Sequence, residues 1–218
     1  MTDKQKRAQM ARIVDSLKSV YPDATCALEY GGQPWRLMVM ARLSAQCTDA
    51  RVNEVCRTLF ERFPTLDSLA DAPLEDVENI VRPCGLWKTK ASNIKQECIE
   101  VRDRFGGRVP DNMEDLLSLP GVGRKIANLL LGDIYGEAAV VADTHCIRIC
   151  GRLGMYPESL KDPHKVEKIL SRIIEPSEQS DFCHRIVQFG RDTCSARSPK
   201  CEVCPISEFC ARKKSKSS

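Results

Sequence analysis

Nothing in this sequence marks a membrane-spanning or exported chain. No uninterrupted apolar run is long enough to cross a bilayer, and the opening stretch MTDKQKRAQMARIVDSLKSVYPDA has no apolar core of the signal-peptide kind. A cytosolic chain without a membrane partner is expected. A strong charge bias is also missing: 33 Lys+Arg against 30 Asp+Glu leave a net charge of only +3. Affinity for a polyanion therefore cannot be argued from total charge, only from where basic residues cluster. Alternating apolar and polar runs are absent, which leaves no basis for strands, and there is no tandem repeat. Histidine is scarce, 3 residues in 218, and His164 and His184 carry no pattern. Low complexity is confined to Arg212–Ser218, a basic, serine-rich end expected to be disordered.

What is present is helical periodicity and cysteine. A chain of 218 residues suits one large domain or two small ones, with enough apolar content for a proper core. Helices are predicted over 4–19, 35–45, 49–62, 74–81, 88–105, 122–136, 144–153, 162–174 and 178–192. The best single stripe is Ala91, Ile94, Cys98, Val101 and Phe105. Pro- and Gly-bearing turns separate these segments. Twelve cysteines in a cytosolic chain point to a metal cluster or buried free thiols rather than a disulfide framework. Cys26, Cys47, Cys56, Cys84, Cys98, Cys146, Cys150 and Cys183 are scattered among apolar positions and read as buried small side chains.

The other four are closely spaced. Cys194, Cys201, Cys204 and Cys210 follow the pattern C-x6-C-x2-C-x5-C with no histidine. A zinc site more commonly shows two paired knuckles, and only one C-x2-C pair is present. Four thiolates suit an iron–sulfur cluster, with structural zinc as the alternative. Nearby, Arg191, Arg197 and Lys200 are candidates for phosphate contacts.

The stretch Leu119–Asp143 organises the rest. Gly121 and Gly123 are expected to take positive φ in a tight turn, and a helix follows whose residues Val122, Ile126, Leu129, Leu130 and Ile134 face the core. Unpaired N–H groups in the first turn of such a helix can approach a phosphate closely where no Cβ intervenes. Lys125, off that stripe, is either a phosphate-binding cation or a nucleophilic amine. Asp143 suits the N-cap of a helix over Thr144–Leu153, a carboxylate assisting chemistry, or both.

LPGVGRKIAN followed by VADTHCIRICGRLG resembles the helix-hairpin-helix DNA glycosylases, specifically the endonuclease III branch. LSAQCTD at Leu43–Asp49, GLWKTKA at Gly85–Ala91 and the cysteine spacing resemble further segments of that family. The resemblance runs from about Trp35 to Cys210. It implies that Lys125 is the nucleophile and Asp143 its partner, that Gln46 fills the gap left by a flipped nucleotide, and that Leu86 is a wedge opposite it. Gly121, Gly123, Arg124 and His145 become DNA-binding candidates, with Lys88, Lys90 and Lys95 joining Arg124 on a basic face. Cys194, Cys201, Cys204 and Cys210 become ligands of a 4Fe-4S cluster. The implied fold is all-α and two-lobed: residues 23–135 form a six-helix lobe with the hairpin, and 1–22 plus 136–218 a helical lobe with the cluster, DNA lying in the cleft. The implied function is a bifunctional DNA glycosylase/AP lyase of base excision repair, removing damaged pyrimidines and nicking the abasic site by β-elimination. Its partner is double-stranded DNA with damaged bases or abasic sites, and the chain is a monomer, nucleoid-associated if prokaryotic. Rival readings are a monofunctional glycosylase of the adenine or mismatch type, against which Lys125 speaks, a non-catalytic cluster-bearing damage sensor, and a zinc-stapled interaction module. The sequence departs from the family pattern at Arg42, Cys47, Ile126 and Gly151. Those changes bear on substrate range, and Arg42, if buried, must be paired.

Overall fold

The structure, a computed structural model, describes residues 1–214. It is helical, with no strand among the described residues, in agreement with the all-α expectation. In chain order the helices are α1 (Asp3–Val20), α2 (Pro34–Leu43), α3 (Asp49–Arg62), α4 (Leu66–Asp71), α5 (Leu74–Val81), α6 (Trp87–Phe105), α7 (Met113–Ser118) and α8 (Arg124–Tyr135). They continue as α9 (Thr144–Arg152), α10 (Pro163–Ile173), α11 (Gln179–Asp192) and α12 (Ala211–Lys214). The last of these contradicts the disordered tail for residues 212–214, while the remainder of that expectation, 215–218, lies outside the described residues. No helix is long and apolar enough to cross a membrane.

Side-chain caps set many of the helix starts. Thr2 and Gln5 form a capping box at α1, Thr65 and Ser68 another at α4, and Thr48 Oγ1 accepts from Arg51 N at 3.3 Å to open α3. Pro34 and Pro163 occupy first helical positions, where the missing N–H costs nothing.

The chain divides into two compact units, residues 27–135 and residues 1–26 with 136–218. In the first, α6 is central and packs on α2, α4 and α5, while α8 packs on α2 and α7. Ala91, Ile94, Cys98 and Val101 of the expected α6 stripe are buried and Phe105 is half-buried. Helix α2 is buried nearly all round through Leu37, Met38, Val39, Met40, Ala41 and Leu43, as a central helix should be. Asn53 pins the segment entering this unit: its Oδ1 accepts from Glu29 N at 3.1 Å and its Nδ2 donates to Ala27 O at 2.9 Å.

In the second unit α1 lies against α10 and α11, and α11 against α9. Met10, Ile13 and Leu17 of α1 join Ile149, Val166, Leu170, Phe182, Ile186 and Phe189 in one core. A buried charge there is well matched: Arg185 donates to Glu178 Oε2 at 3.1 Å and Asp181 Oδ2 at 2.8 Å, and Lys18 donates to Glu178 Oε1 at 2.6 Å. The hydrogen bond from Lys18 is the main reason that Glu178 stays below the usual carboxylate range.

Ile94 is fully buried at the centre of the first unit. Its truncation in Ile94→Ala should cost about 2–5 kcal/mol in urea unfolding, whereas Ser92→Ala on the exposed side of α6 should stay within about 0.5 kcal/mol.

Candidate nucleic-acid interface and cluster loop

The glycine turn is built around one arginine. Gly121 has φ +79°, and a Cβ added there would stand 2.9 Å from Arg42 Nε and 3.0 Å from Arg42 Cζ, so glycine is required both by conformation and by space. Arg42, half-buried near the end of α2, donates from Nη1 to Gly121 O at 3.2 Å. With the Asn93 amide turned so that its oxygen faces the guanidinium, Arg42 Nε donates to it at 3.2 Å and Nη2 donates as well. Arg42 is thus paired, and it holds the hairpin turn against α2 and α6. Beneath it Glu97 is fully buried, and neither carboxylate oxygen has a hydrogen-bond partner among the described residues. Burial pushes this carboxyl well above its ordinary range, opposed by the positive charge of Arg42.

Gly123 differs from the expectation: it is not among the residues of positive φ, and a Cβ there would meet nothing within 4 Å. Helix α8 begins one residue later, with Gly123 O accepting from Ala127 N at 3.0 Å. Its buried face is Ala127, Asn128, Leu130 and Leu131, rotated from the predicted stripe, and Ile126, Leu129 and Ile134 are only half-buried. Lys125 is exposed in the first turn and Arg124 half-buried beside it.

Two other loops of this unit carry the remaining candidates. Gln46 (φ +55°) and Leu86 (φ +49°) are the non-glycine residues of positive φ among the described residues, and both are exposed, Leu86 to 61%. A left-handed leucine with its side chain in water is costly twice over, in backbone strain and in apolar exposure. The alternative of Leu86 as a core staple is thereby excluded. Lys90 and Lys95 do not belong to a basic face. Lys90 is buried, donating to Leu43 O at 2.9 Å and Cys84 O at 2.8 Å, and Lys95 donates to Ala70 O at 2.7 Å and also to Ala72 O. A buried ammonium needs such acceptors, and at both sites a helix end leaves carbonyls unpaired. Lys88 does stay exposed, its ammonium 5.2 Å from the Trp87 ring centroid.

In the other unit Asp143 is the N-cap of α9, its Oδ1 accepting from Cys146 N at 2.7 Å. His145 follows it, half-buried, with Nδ1 3.1 Å from Arg148 Nη2. Gly151, where the family pattern often has asparagine, lies against the 156–158 segment, a Cβ there falling 3.4 Å from Glu158 Cα. Nothing in the structure explains Ile126.

The cysteine loop is held by residues that the sequence did not single out. Arg152 donates to Ser195 O and Ala196 O, each at 2.8 Å, and its Nη1 lies 3.1 Å from Cys194 Sγ. Arg148 Nη2 donates to Cys194 O at 3.0 Å. Their spacing of four on α9 was the available signal. Cys204 is raised chiefly by burial, against a hydrogen bond to the backbone at Ile206, with smaller upward pushes from the charges of Cys194, Cys210 and Cys201. Two guanidiniums stand beside the first of them, the environment a thiolate-ligated cluster needs. Among the described residues no group of three or more ligating side chains is disposed to hold a single metal ion. Arg191, Arg197 and Lys200 are all exposed.

Known proteins agree with this construction. Residues 39–176 match the pattern of the HhH-GPD superfamily base excision DNA repair proteins, and residues 194–210 that of the iron–sulfur binding domain of endonuclease III. An endonuclease III from Synechocystis sp. is 39% identical over 211 residues, 96% of this chain and 94% of that protein. A non-covalent endonuclease III–DNA complex aligns at TM-score 0.90 and 38% identity over 100% of this chain and 99% of its own. A trapped endonuclease III–DNA covalent intermediate aligns equally well, at TM-score 0.90 and 38% identity over 100% of both chains. The chain belongs to the endonuclease III family, the DNA glycosylase/AP lyase enzymes of base excision repair that carry a 4Fe-4S cluster.

The buried acid gives a test of the hairpin anchor. Because the folded-state pKa of Glu97 lies above its unfolded value, its contribution is intact at acid pH and is lost as pH rises beyond the ordinary carboxylate range. Glu97→Gln has nothing to titrate. Denaturant unfolding at a series of pH values should show the variant gaining on the parent by up to about 1.4 kcal/mol per pH unit from roughly pH 5 upward. A difference constant across that range would refute a buried, strained carboxyl.

Proposed function

We propose that this chain removes damaged pyrimidines from double-stranded DNA and cleaves the resulting abasic site, with Lys125 as nucleophile and Asp143 as its acid–base partner. The observation that carries the assignment is an exposed amine in the first turn of α8, directly after a glycine turn pinned by Arg42. The single family match over residues 39–176 contains both Lys125 and Asp143.

Phosphates of the duplex meet the N–H groups at the start of α8, with Arg124 adding charge, Gly121 shaping the turn that presents them and Gly123 allowing close approach. The open space around Gly123 supports this role, since neither its φ nor its packing calls for glycine. The lesion is flipped out, Gln46 takes its place in the stack and Leu86 wedges the opposite strand. The neutral amine of Lys125 attacks the sugar C1′, the base departs, and Asp143 assists deprotonation and balances the cationic sugar. The Schiff base so formed permits β-elimination of the 3′ phosphate, and hydrolysis releases the enzyme. His145 contributes a contact beside the pocket. Cys194, Cys201, Cys204 and Cys210 hold the cluster, which supplies a rigid fastening for its loop and display of Arg197 and Lys200 to the backbone. The hairpin lobe spans residues 23–135 and the cluster lobe residues 1–22 with 136–218, and the chain works as a cytoplasmic monomer.

Borohydride should trap a covalent complex on duplexes bearing an oxidised pyrimidine or a preformed abasic site, and Lys125→Ala should abolish it. Asp143→Asn keeps a good N-cap, so unfolding should shift by less than about 0.5 kcal/mol while base release slows by on the order of 100-fold or more. Trapping that survives in Lys125→Ala would sink the assignment. Gly123→Ala should weaken duplex binding about tenfold, or roughly 1.4 kcal/mol, with little change in melting temperature. Unchanged binding would remove the hairpin from the phosphate contact.

A further inference from the structure

The loops that carry Gln46 and Leu86 share more than a backbone strain. Each has a cysteine next to or two residues from its left-handed residue, Cys47 after Gln46 and Cys84 before Gly85 and Leu86. One buried ammonium bridges the two loops, Lys90 Nζ donating to Leu43 O at 2.9 Å and to Cys84 O at 2.8 Å. Cys47 is half-buried and Cys84 buried, both as free thiols. The two thiols lie near enough to act on one another, and both act on the charge of Lys90, whose hydrogen bonds tie their loops together. Cys56, buried on α3, lies beneath the pair. Cysteine packing alone would not place a half-accessible thiol, a buried thiol and a cation together at the base of two strained, exposed loops.

We propose that Cys47 and Cys84 are an oxidisable pair, a modification site at which a low-molecular-weight disulfide of the glutathione class closes a Cys47–Cys84 disulfide and so governs the spacing of the loops bearing Gln46 and Leu86. The assignment of those loops to DNA rests on the function proposed above; the thiol chemistry does not. The accessible Cys47 loses its proton and attacks one sulfur of glutathione disulfide, releasing one glutathione thiolate. Cys84 then gives its proton to solvent and attacks Cys47 Sγ, releasing the second. Two protein thiols supply two electrons, and one small disulfide becomes two thiols. Lys90 stabilises the developing thiolates; burial and the neighbouring Cys47 push Cys84 up to about 11, so Cys84 is the resolving and not the attacking group. Bond formation draws the sulfurs to about 2 Å, and Lys90 transmits that closure to both loop backbones. Loops already held in costly conformations then lose the freedom to seat Gln46 and Leu86.

The test uses the cluster-loaded protein, kept anaerobic and incubated with oxidised glutathione, the visible cluster absorbance confirming that the ligand cysteines are untouched. Trypsin places the two thiols in separate peptides, Leu43–Arg51 and Phe63–Lys88, each with a single cysteine. After free thiols are alkylated, mass spectrometry should find these peptides joined. Affinity for a duplex with a tetrahydrofuran abasic analogue should fall about tenfold and return with dithiothreitol. Both responses should vanish in Cys47→Ser and in Cys84→Ser. Stable glutathione on Cys47 without the link, or bleaching of the cluster before any link forms, would overturn the proposal. So would a linked protein that binds the duplex unchanged. Failure of the reduced protein to bind the duplex would strike the DNA assignment instead, with the joined peptides still deciding the thiol pair.

Discussion

A cation withdrawn from water must be met by acceptors, and the hairpin-bearing unit places such cations where the chain has carbonyls to spare. Arg42 takes the carbonyl of Gly121 and the amide of Asn93, while Lys90 takes the carbonyls that close α2 and the turn before α6. Helix ends and glycine turns expose unpaired carbonyls by construction, so each of these cations repairs two deficits at once. The three loops that carry Gln46, Leu86 and Gly121 are thereby tied to one helical core without any regular structure of their own. A neutral side chain of similar length at Lys90 would leave its two carbonyls buried and unmatched.

The departures from the family pattern fall within this scheme. Arg42 replaces an expected apolar residue, and the chain answers with Asn93 beside it and the fully buried Glu97 below. At Gly151 a Cβ would make only ordinary contact with Glu158 and Tyr156, so neither packing nor φ requires glycine there. Around the cysteine loop Arg148 and Arg152 follow the same logic with the sign completed, since their acceptors include carbonyls of the loop and the sulfur of Cys194. A cluster held by four thiolates brings net negative charge, and two guanidiniums beside it would lower the cost of holding that charge.

Helices with a long apolar stripe were legible from the residues alone: the buried positions of α1 and α3 are the ones their spacing marks. The six-residue helices α4 and α7 were not, because a segment of little more than one turn shows no periodicity. The face of α8 was misjudged for a related reason. Its residues are apolar on more than one side, so Ala127 and Leu131, not Ile126 and Ile134, end up innermost. The placement of Lys125, Gln46 and Leu86 at exposed positions, and of Asp143 at a helix cap, is consistent with their motifs. The burial of Lys90 and Lys95 was beyond sequence, since lysine reads as solvated until the distant carbonyls that receive it are known. The same holds for the meeting of Cys47 and Cys84, 37 positions apart in sequence, and for the arginine pair on α9, whose spacing is visible but whose partners are not.

Helix α1 has a consequence for how the molecule is made. Its apolar face, Met10, Ile13, Val14 and Leu17, is covered by residues from 140 onward, α10 and α11 among them. On the ribosome this segment therefore emerges before residues 27–135 and meets its neighbours only after that whole stretch has been translated. The hairpin unit is contiguous and can fold as it appears, whereas the cluster-bearing unit must wait for segments on both sides of the hairpin unit. Until residues 140 onward appear, α1 is an amphipathic segment without its core partners, a handle for whatever chaperone meets nascent chains, and the cysteine loop, which follows α11, closes on a unit only just assembled.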